Sequence, residues 1–173
     1  MTSRIGERRL SALWRRTAEV TAYQGHSNLA EGLWLSVDPG GEARLSLGPK
    51  GDGFRITLRN RDSARWADFG CRLPREEYTA LAQGKYLNVR IRGEGEGLTL
   101  FGVFLRHVRK PGGTVDISSE NGVLSPGGRV ECDLRIPLDH DLIGKADELE
   151  LVLAFYHDRM DMSFETFELS VTN

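Results

Sequence analysis

The sequence has few cysteines and no long apolar run, and each shortage excludes a class of protein. Its two cysteines, Cys71 and Cys132, are too few for a disulfide framework and lack the spacing of a metal site. No apolar run has the length of a secretory signal core or of a membrane span. We therefore expect a cytoplasmic protein with reduced thiols. The alternative is one bridge between the two cysteines, if their strands face each other, which would indicate export.

The charge balance excludes general binding to nucleic acid. The chain carries 23 Lys and Arg against 25 Asp and Glu, which gives a formal net charge of -2 at pH 7. Neutralising phosphates requires a basic footprint, and a balanced chain lacks one overall. The content of 39% hydrophobic and 28% charged residues is that of a folded protein, and 173 residues suit one domain.

The first 28 residues differ from the rest and predict a basic amphipathic helix with a short extension. Between Arg4 and Val20, apolar residues recur at helical spacing beside several arginines: Leu10, Leu13 and Trp14 with Arg8, Arg9, Arg15 and Arg16. One interpretation is a helix that packs on the end of the domain. The other is that residues 4–20 dock on a protein partner or on an anionic membrane surface.

Residues 29–173 change to a period of two, which predicts β-strands. The alternation begins at Leu33, and turn signals divide the segment into nine or ten strands. Helical spacing over residues 75–83 predicts one short crossover helix, and the glycine-rich segment 93–97 predicts the turn after the strand that begins at Tyr86. We therefore predict an all-β fold, an antiparallel sandwich of the jelly-roll type with two short helices.

Three segments of this pattern resemble the galactose-binding-like jelly rolls of carbohydrate-binding modules. They are Trp66–Gly70, Lys85–Arg90 and Phe164–Val171, and the resemblance spans roughly residues 29–173. The resemblance implies sugar binding, often with a structural calcium ion. Such folds also serve as protein-interaction domains.

One predicted strand carries the side chains that best suit a sugar. Tyr86, Asn88, Arg90 and Arg92 alternate with apolar residues, so they project from the same face of the strand. An aromatic ring stacks on the apolar face of a sugar, while amides and guanidiniums hydrogen-bond hydroxyls or pair with anions. The alternative is a solvated face on which Arg and Glu form cross-strand pairs.

Residues on other strands are expected at the margins of this site. If the neighbouring strands lie beside it, the face also gathers Trp66, Tyr156, Glu148, Glu150 and either Arg106 or His107. Of these, Trp66, His107 and Tyr156 are the predicted ligand-binding residues. The sequence thus predicts a non-catalytic module that holds a polysaccharide or oligosaccharide on one sheet face.

Signatures of catalysis and metal binding are weak. Glu131 and Asp133 form the first half of the Glu-x-Asp-x-x-Glu arrangement of β-sandwich glycosidases, but Ile136 occupies the place of the second glutamate. Glycoside hydrolysis therefore ranks third, after sugar binding and an adaptor role, because the acid and nucleophile pair is incomplete.

Two oxygen-rich loops are the calcium candidates, with solvated turns as the alternative: Asp139 and Asp141, and Asp158 and Asp161. No other cofactor is expected.

Overall fold

The computed structural model describes residues 3–5, 20–22, 25–30 and 32–172, and the strands in these ranges form two antiparallel sheets. The described strands are β1 (Ser3–Ile5), β2 (Val20–Ala22), β3 (Gly25–Ala30), β4 (Leu33–Val37), β5 (Arg44–Lys50), β6 (Gly53–Arg59), β7 (Ala67–Arg72), β8 (Tyr86–Gly95), β9 (Thr99–Arg109), β10 (Gly113–Ser118), β11 (Val123–Ser125), β12 (Gly128–Pro137), β13 (Glu148–Phe155) and β14 (Met160–Thr172).

Each sheet contains seven of the described strands. Sheet 1 has the order β12-β8-β14-β6-β5-β2, with β1 also paired to β14. Sheet 2 has the order β10-β9-β13-β7-β4-β3, with β11 also paired to β9. The chain passes repeatedly from one sheet to the other, as in a jelly roll. The predicted all-β antiparallel sandwich is confirmed.

Alternation of apolar residues along the strands places the core between the two sheets. Phenylalanines from both sheets meet at its centre. Phe54 and Phe164 of sheet 1 stack with ring centroids 4.4 Å apart. In sheet 2, the ring of Phe69 lies 6.0 Å from that of Phe54, and the ring of Phe101 lies 6.3 Å from that of Phe164. Each of these side chains is at most 1% exposed. Because the inner faces are filled in this way, no space for a ligand lies between the centres of the two sheets.

The N-terminal helix prediction is wrong at both of its ends. Arg4 and Ile5 lie in β1, opposite Ser170 and Leu169 of β14, and Val20 lies in β2, opposite Leu47 of β5. Pairing with a strand already in the sheet supplies backbone hydrogen bonds that outweigh a local helical pattern. Residues 6–19, the rest of the predicted helix, lie outside the described residues, and their docking role stays a prediction. Residues 25–28, in the predicted extension, belong to β3, which pairs with β4.

The crossover helix is confirmed, as a 3-10 turn at Arg75–Glu77 that continues into helix α1 (Tyr78–Gln83). The predicted turn at residues 93–97 is wrong in its start, because β8 runs on to Gly95. A Cβ atom at Gly93 would overlap the carbonyl group of Ser163 in β14, so this glycine permits close contact between strands.

A second helix, α2 (His140–Lys145), was predicted only as the end of a strand. Its N-cap is Asp139, whose carboxylate accepts a hydrogen bond of 3.0 Å from the backbone N–H of Leu142. Neither helix in the described ranges is long and apolar enough to cross a membrane.

Candidate functional site

The predicted sugar-binding side chains of β8 lie on the outer face of sheet 1. The residues that alternate with them, Leu87, Val89 and Ile91, are fully buried. Tyr86, Asn88, Arg90 and Arg92 are half-buried or exposed. The sequence therefore predicted the direction of these side chains correctly.

Both arginines of this face form ion pairs with β12. Arg90 donates from Nε to Asp133 at 2.7 Å and from Nη2 at 3.3 Å, and the two residues are opposite each other in the ladder. Two residues further along β8, Arg92 donates from Nε to Glu131 at 2.9 Å, and these two residues are also opposite each other in the ladder. The hydrogen bond from Arg90 lowers the pKa of Asp133. These are the cross-strand pairs of the alternative interpretation, and they occupy both carboxylates of the incomplete glycosidase arrangement.

The other two predicted residues of β8 also have partners. The ring of Tyr86 lies 5.5 Å from Nζ of Lys85 and 5.9 Å from the guanidinium of Arg135. Asn88 donates from Nδ2 to the hydroxyl of Thr172 at 3.0 Å. Asn88 also lines a groove of about 470 Å³, whose charged lining is Arg90, Asp133, Arg135 and Glu168. This face is polar, and the aromatic ring predicted to stack on a sugar, that of Tyr86, is half-buried beside two cations.

The remaining predicted residues lie in sheet 2 or directly beside its strands, away from the site on sheet 1. His107 in β9 points into the core with 0% exposure, and its Nδ1 lies 3.2 Å from the carbonyl oxygen of Val115. Burial lowers its pKa. His107 as a ligand-binding residue is therefore wrong. Its neighbour Arg106 faces outward and donates two hydrogen bonds of 2.9 Å to Asp116.

Trp66 and Tyr156 lie on the outer face of sheet 2, at the ends of neighbouring strands. In the ladder between β7 and β13, Asp68 is opposite Ala154. Trp66 precedes Asp68 by two residues and Tyr156 follows Ala154 by two, so the four side chains share one face. We call these four residues the aromatic cleft.

The two rings of the aromatic cleft lean away from each other. The indole N–H of Trp66 donates to the hydroxyl of Ser36 in β4 at 3.2 Å. The ring of Tyr156 lies over Gly102 in β9, where a Cβ atom would be 3.0 Å from the Tyr156 hydroxyl oxygen. β4 and β9 flank β7 and β13 on opposite sides, so the two rings extend toward opposite edges of sheet 2, with Asp68 and Ala154 on the strands between them.

The rings differ in how firmly neighbours hold them. Tyr156 is 52% exposed. Trp66 is half-buried, and the guanidinium of Arg65 lies 4.9 Å from its ring. Arg65 is itself fixed by two hydrogen bonds to Asp38, of 2.8 Å and 3.2 Å, which hold the pKa of that carboxyl well below its usual range. Trp66 therefore has a preset orientation.

Asp68 is the residue on the floor of the cleft that sequence reasoning missed. It is 9% exposed and has no hydrogen bond or ion pair with the part of the chain that the structure describes. Burial raises its pKa to about 6, against a smaller lowering by Arg106 and Arg61. The sequence did contain one signal: Asp68 follows Trp66 by two residues, so the two side chains are expected on the same face of an otherwise apolar strand. Its position opposite Ala154 depends on strand pairing, which the sequence does not show.

Three of the four calcium candidates, Asp139, Asp158 and Asp161, have other partners. Asp139 caps α2, and Asp158 accepts a hydrogen bond from the backbone N–H of Asp62 at 3.2 Å. Asp161 pairs with Arg55 at 2.5 Å. The described residues contain no group of three or more His, Cys, Asp or Glu that could hold a metal ion. These aspartates therefore do not form the predicted calcium site.

The two cysteines are free thiols on different sheets, Cys71 in β7 and Cys132 in β12. The disulfide alternative is therefore wrong. Cys71 is buried, and burial raises the pKa of Cys132 to about 11. A raised pKa disfavours the thiolate, so the Cys132 thiol is not activated as a nucleophile.

The chain resembles two carbohydrate-binding modules of known structure. One is TmCBM27, described for specific mannan recognition, with a TM-score of 0.44 and 11% identity over 91% of this chain and 100% of that chain. The other is a family 30 carbohydrate-binding module, with a TM-score of 0.41 and 15% identity over 92% of this chain and 91% of that chain. No family model matches the sequence, and no curated protein matches it. Similarity at this level carries no argument about a ligand, so the function is argued from the two outer faces.

Proposed function

We propose that the chain is a non-catalytic module that binds a neutral, hydroxyl-rich polysaccharide or oligosaccharide in the aromatic cleft. The observation that carries this proposal is the pair of rings, Trp66 and Tyr156, above a floor formed by a small residue and an unpartnered carboxyl group. Aromatic rings stack on the apolar C–H faces of sugars, and a few placed polar groups fix the orientation of a ligand.

The outer face of sheet 1 is a poorer candidate for the same role. Its guanidiniums are hydrogen-bonded to carboxylates, and Tyr86 lies between two cations. A sugar would have to displace these contacts before it could hydrogen-bond the arginines or stack on the ring. In the aromatic cleft, Trp66 carries the guanidinium of Arg65 on its ring, but Tyr156 is 52% exposed and the carboxyl of Asp68 has no hydrogen-bond partner among the described residues.

Turnover is not part of the proposal. Hydrolysis of a glycosidic bond uses two carboxyl groups that flank it, about 5–10 Å apart. Of the four residues that define the aromatic cleft, Asp68 alone carries a carboxyl group. Glu150, further along the same face of β13, lies 3.7 Å from a guanidinium nitrogen of Arg72.

Retention on soluble polysaccharides tests this function. The purified chain is run through gels that contain mannan, glucomannan, xylan or mixed-linkage β-glucan, with polygalacturonate as an acidic comparison. We expect retention by at least one neutral polymer. W66A and Y156A should each weaken it about tenfold (~1.4 kcal/mol), because each removes a stacking surface.

The matched control is Y86A, which removes an aromatic ring from the opposite face. We expect Y86A to be retained like the unmodified chain. If Y86A loses retention while W66A and Y156A keep it, the site lies on sheet 1. If the chain is retained by none of the polymers, the proposed function is wrong.

A further inference from the structure

We propose that Asp68 is the specificity residue of the aromatic cleft, and that its ionised carboxylate accepts hydrogen bonds from two adjacent hydroxyl groups of one sugar ring. The inference rests on the proposed function and deepens it. It names the ligand class, a sugar with a free vicinal diol, and it makes binding dependent on pH.

The position of Asp68 leaves its carboxyl open toward the cleft. In the ladders it lies between Ser36 of β4 and Ala154 of β13. Its exposed fraction is only 9%, and no described residue hydrogen-bonds to it. Its oxygens are not among the buried atoms without a partner, so they remain open to solvent at the outer face while burial of the rest of the side chain limits their contact with water. A ligand that supplies two donors in the cleft would satisfy this carboxylate.

The neighbouring cations do not satisfy Asp68, because other acceptors hold them. Arg106 donates to Asp116 of β10 through two hydrogen bonds. Arg61 donates to three backbone carbonyl groups, those of Phe155, Ala64 and Arg65. Both guanidiniums therefore act on Asp68 only through their charge.

The other titratable groups around Asp68 are paired with arginines or stay protonated, and none of them hydrogen-bonds to its carboxyl group. On β13, Glu150 pairs with Arg72 of β7. Burial, followed by the charge of Asp68, raises the pKa of Tyr156, so its hydroxyl stays protonated at neutral pH. Directly after β4, Asp38 is held by Arg65. Asp68 is thus a carboxyl group on this floor with a raised pKa, about 6, and without a hydrogen-bond partner among the described residues.

The protonation of Asp68 sets the expected pH dependence. A carboxylate accepts hydrogen bonds at both oxygens, whereas a protonated carboxyl group loses part of this capacity and must donate a proton itself. With a pKa of about 6, the group is almost fully ionised at pH 7.5 and about one tenth ionised at pH 5. If only the ionised form holds the diol, affinity falls about tenfold between these two pH values.

The test measures calorimetric binding of soluble glucomannan to the full chain at pH 7.5 and pH 5. Glucomannan is chosen because mannose and glucose units present vicinal diols of both relative orientations. The variants are D68N, which keeps the shape of the side chain but not its charge, and D133N, which removes a carboxylate from sheet 1. The second probe is O-methylated glucomannan, which keeps the rings but lacks hydroxyl donors.

We expect the unmodified chain and D133N to lose about tenfold in affinity from pH 7.5 to pH 5. D68N should bind about tenfold more weakly at pH 7.5 and show no pH dependence. The methylated polymer should bind the unmodified chain at least tenfold more weakly, and this comparison does not depend on the folding of a variant.

Two different failures are distinguishable. If glucomannan binds equally at both pH values, or D68N binds with the profile of the unmodified chain, the role of Asp68 is overturned while the proposed function stands. If the unmodified chain does not bind glucomannan at pH 7.5, the role of Asp68 is overturned, and the proposed function is overturned as well when none of the neutral polymers retains the chain in the gels.

Discussion

Asp68 shows at the scale of one residue how a binding group is kept at a cost to stability. Burial raises its pKa from 3.8 to about 6. Because the folded-state pKa lies above the unfolded value, the folded chain binds more protons than the unfolded chain between these two pH values. The free energy of unfolding contributed by this group therefore falls as the pH rises through that range, and the full cost is present above it.

We predict that D68N stabilises the protein at pH 7.5. A shift of about two pKa units corresponds to roughly 3 kcal/mol, and a buried amide retains part of that cost, so the expected gain is on the order of 1–3 kcal/mol. Urea unfolding at pH 7.5 and at pH 4 measures it.

The gain in stability should disappear at pH 4, where the carboxyl of the unmodified chain is protonated. D133N, which removes an exposed carboxylate, is the control variant for the loss of a negative charge. A D68N protein that is less stable at pH 7.5 than the unmodified chain would show that the Asp68 carboxylate is satisfied in the folded state.

Packing between elements supports the face that carries the aromatic cleft. In β4, Trp34 is 3% exposed although it points to the outer face of sheet 2, because its ring lies over Gly70 of β7. Trp34 and Gly70 are opposite each other in the ladder. A Cβ atom at Gly70 would overlap the indole ring, so this glycine allows the two strands to carry a large ring flat on the sheet.

G70A should therefore destabilise the protein by about 1–3 kcal/mol, because Trp34 must leave its position. The matched control is G144A in helix α2, where a Cβ atom meets no neighbouring group and alanine favours the helix by about 1 kcal/mol. Thermal or urea unfolding of both variants measures the difference. Equal stability of the two variants would contradict this account of the β4 and β7 contact.

At the level of elements, the strands could be predicted from the sequence but their neighbours could not. A period of two is a local signal, and it correctly gave the outward direction of Tyr86, Asn88, Arg90 and Arg92 on β8. The carboxylates opposite the arginines come from β12, about 40 residues later, and no local pattern shows that pairing. The same limit applies to Trp66 and Tyr156, which lie at neighbouring strand ends only because β7 pairs with β13.

The sandwich as a whole explains why the predicted site divides into two. Two packed sheets are separated by roughly 10 Å of side chains, so residues on the two outer faces cannot contact one ligand together. Tyr86, Asn88, Arg90 and Arg92 belong to one face, Trp66 and Tyr156 to the other, and His107 to the core between them. The sequence could identify residue types that suit a sugar, but only the order of the strands assigns them to a face.

The most direct measurement is a nuclear magnetic resonance titration of the isotope-labelled chain with a short glucomannan oligosaccharide. The account predicts that the largest shifts occur on the outer face of sheet 2, at the Trp66 indole, at the backbone amides of Asp68, Ala154 and Tyr156, and at Gly102. Largest shifts at Asn88, Arg90 and Arg135, with sheet 2 unchanged, would contradict it.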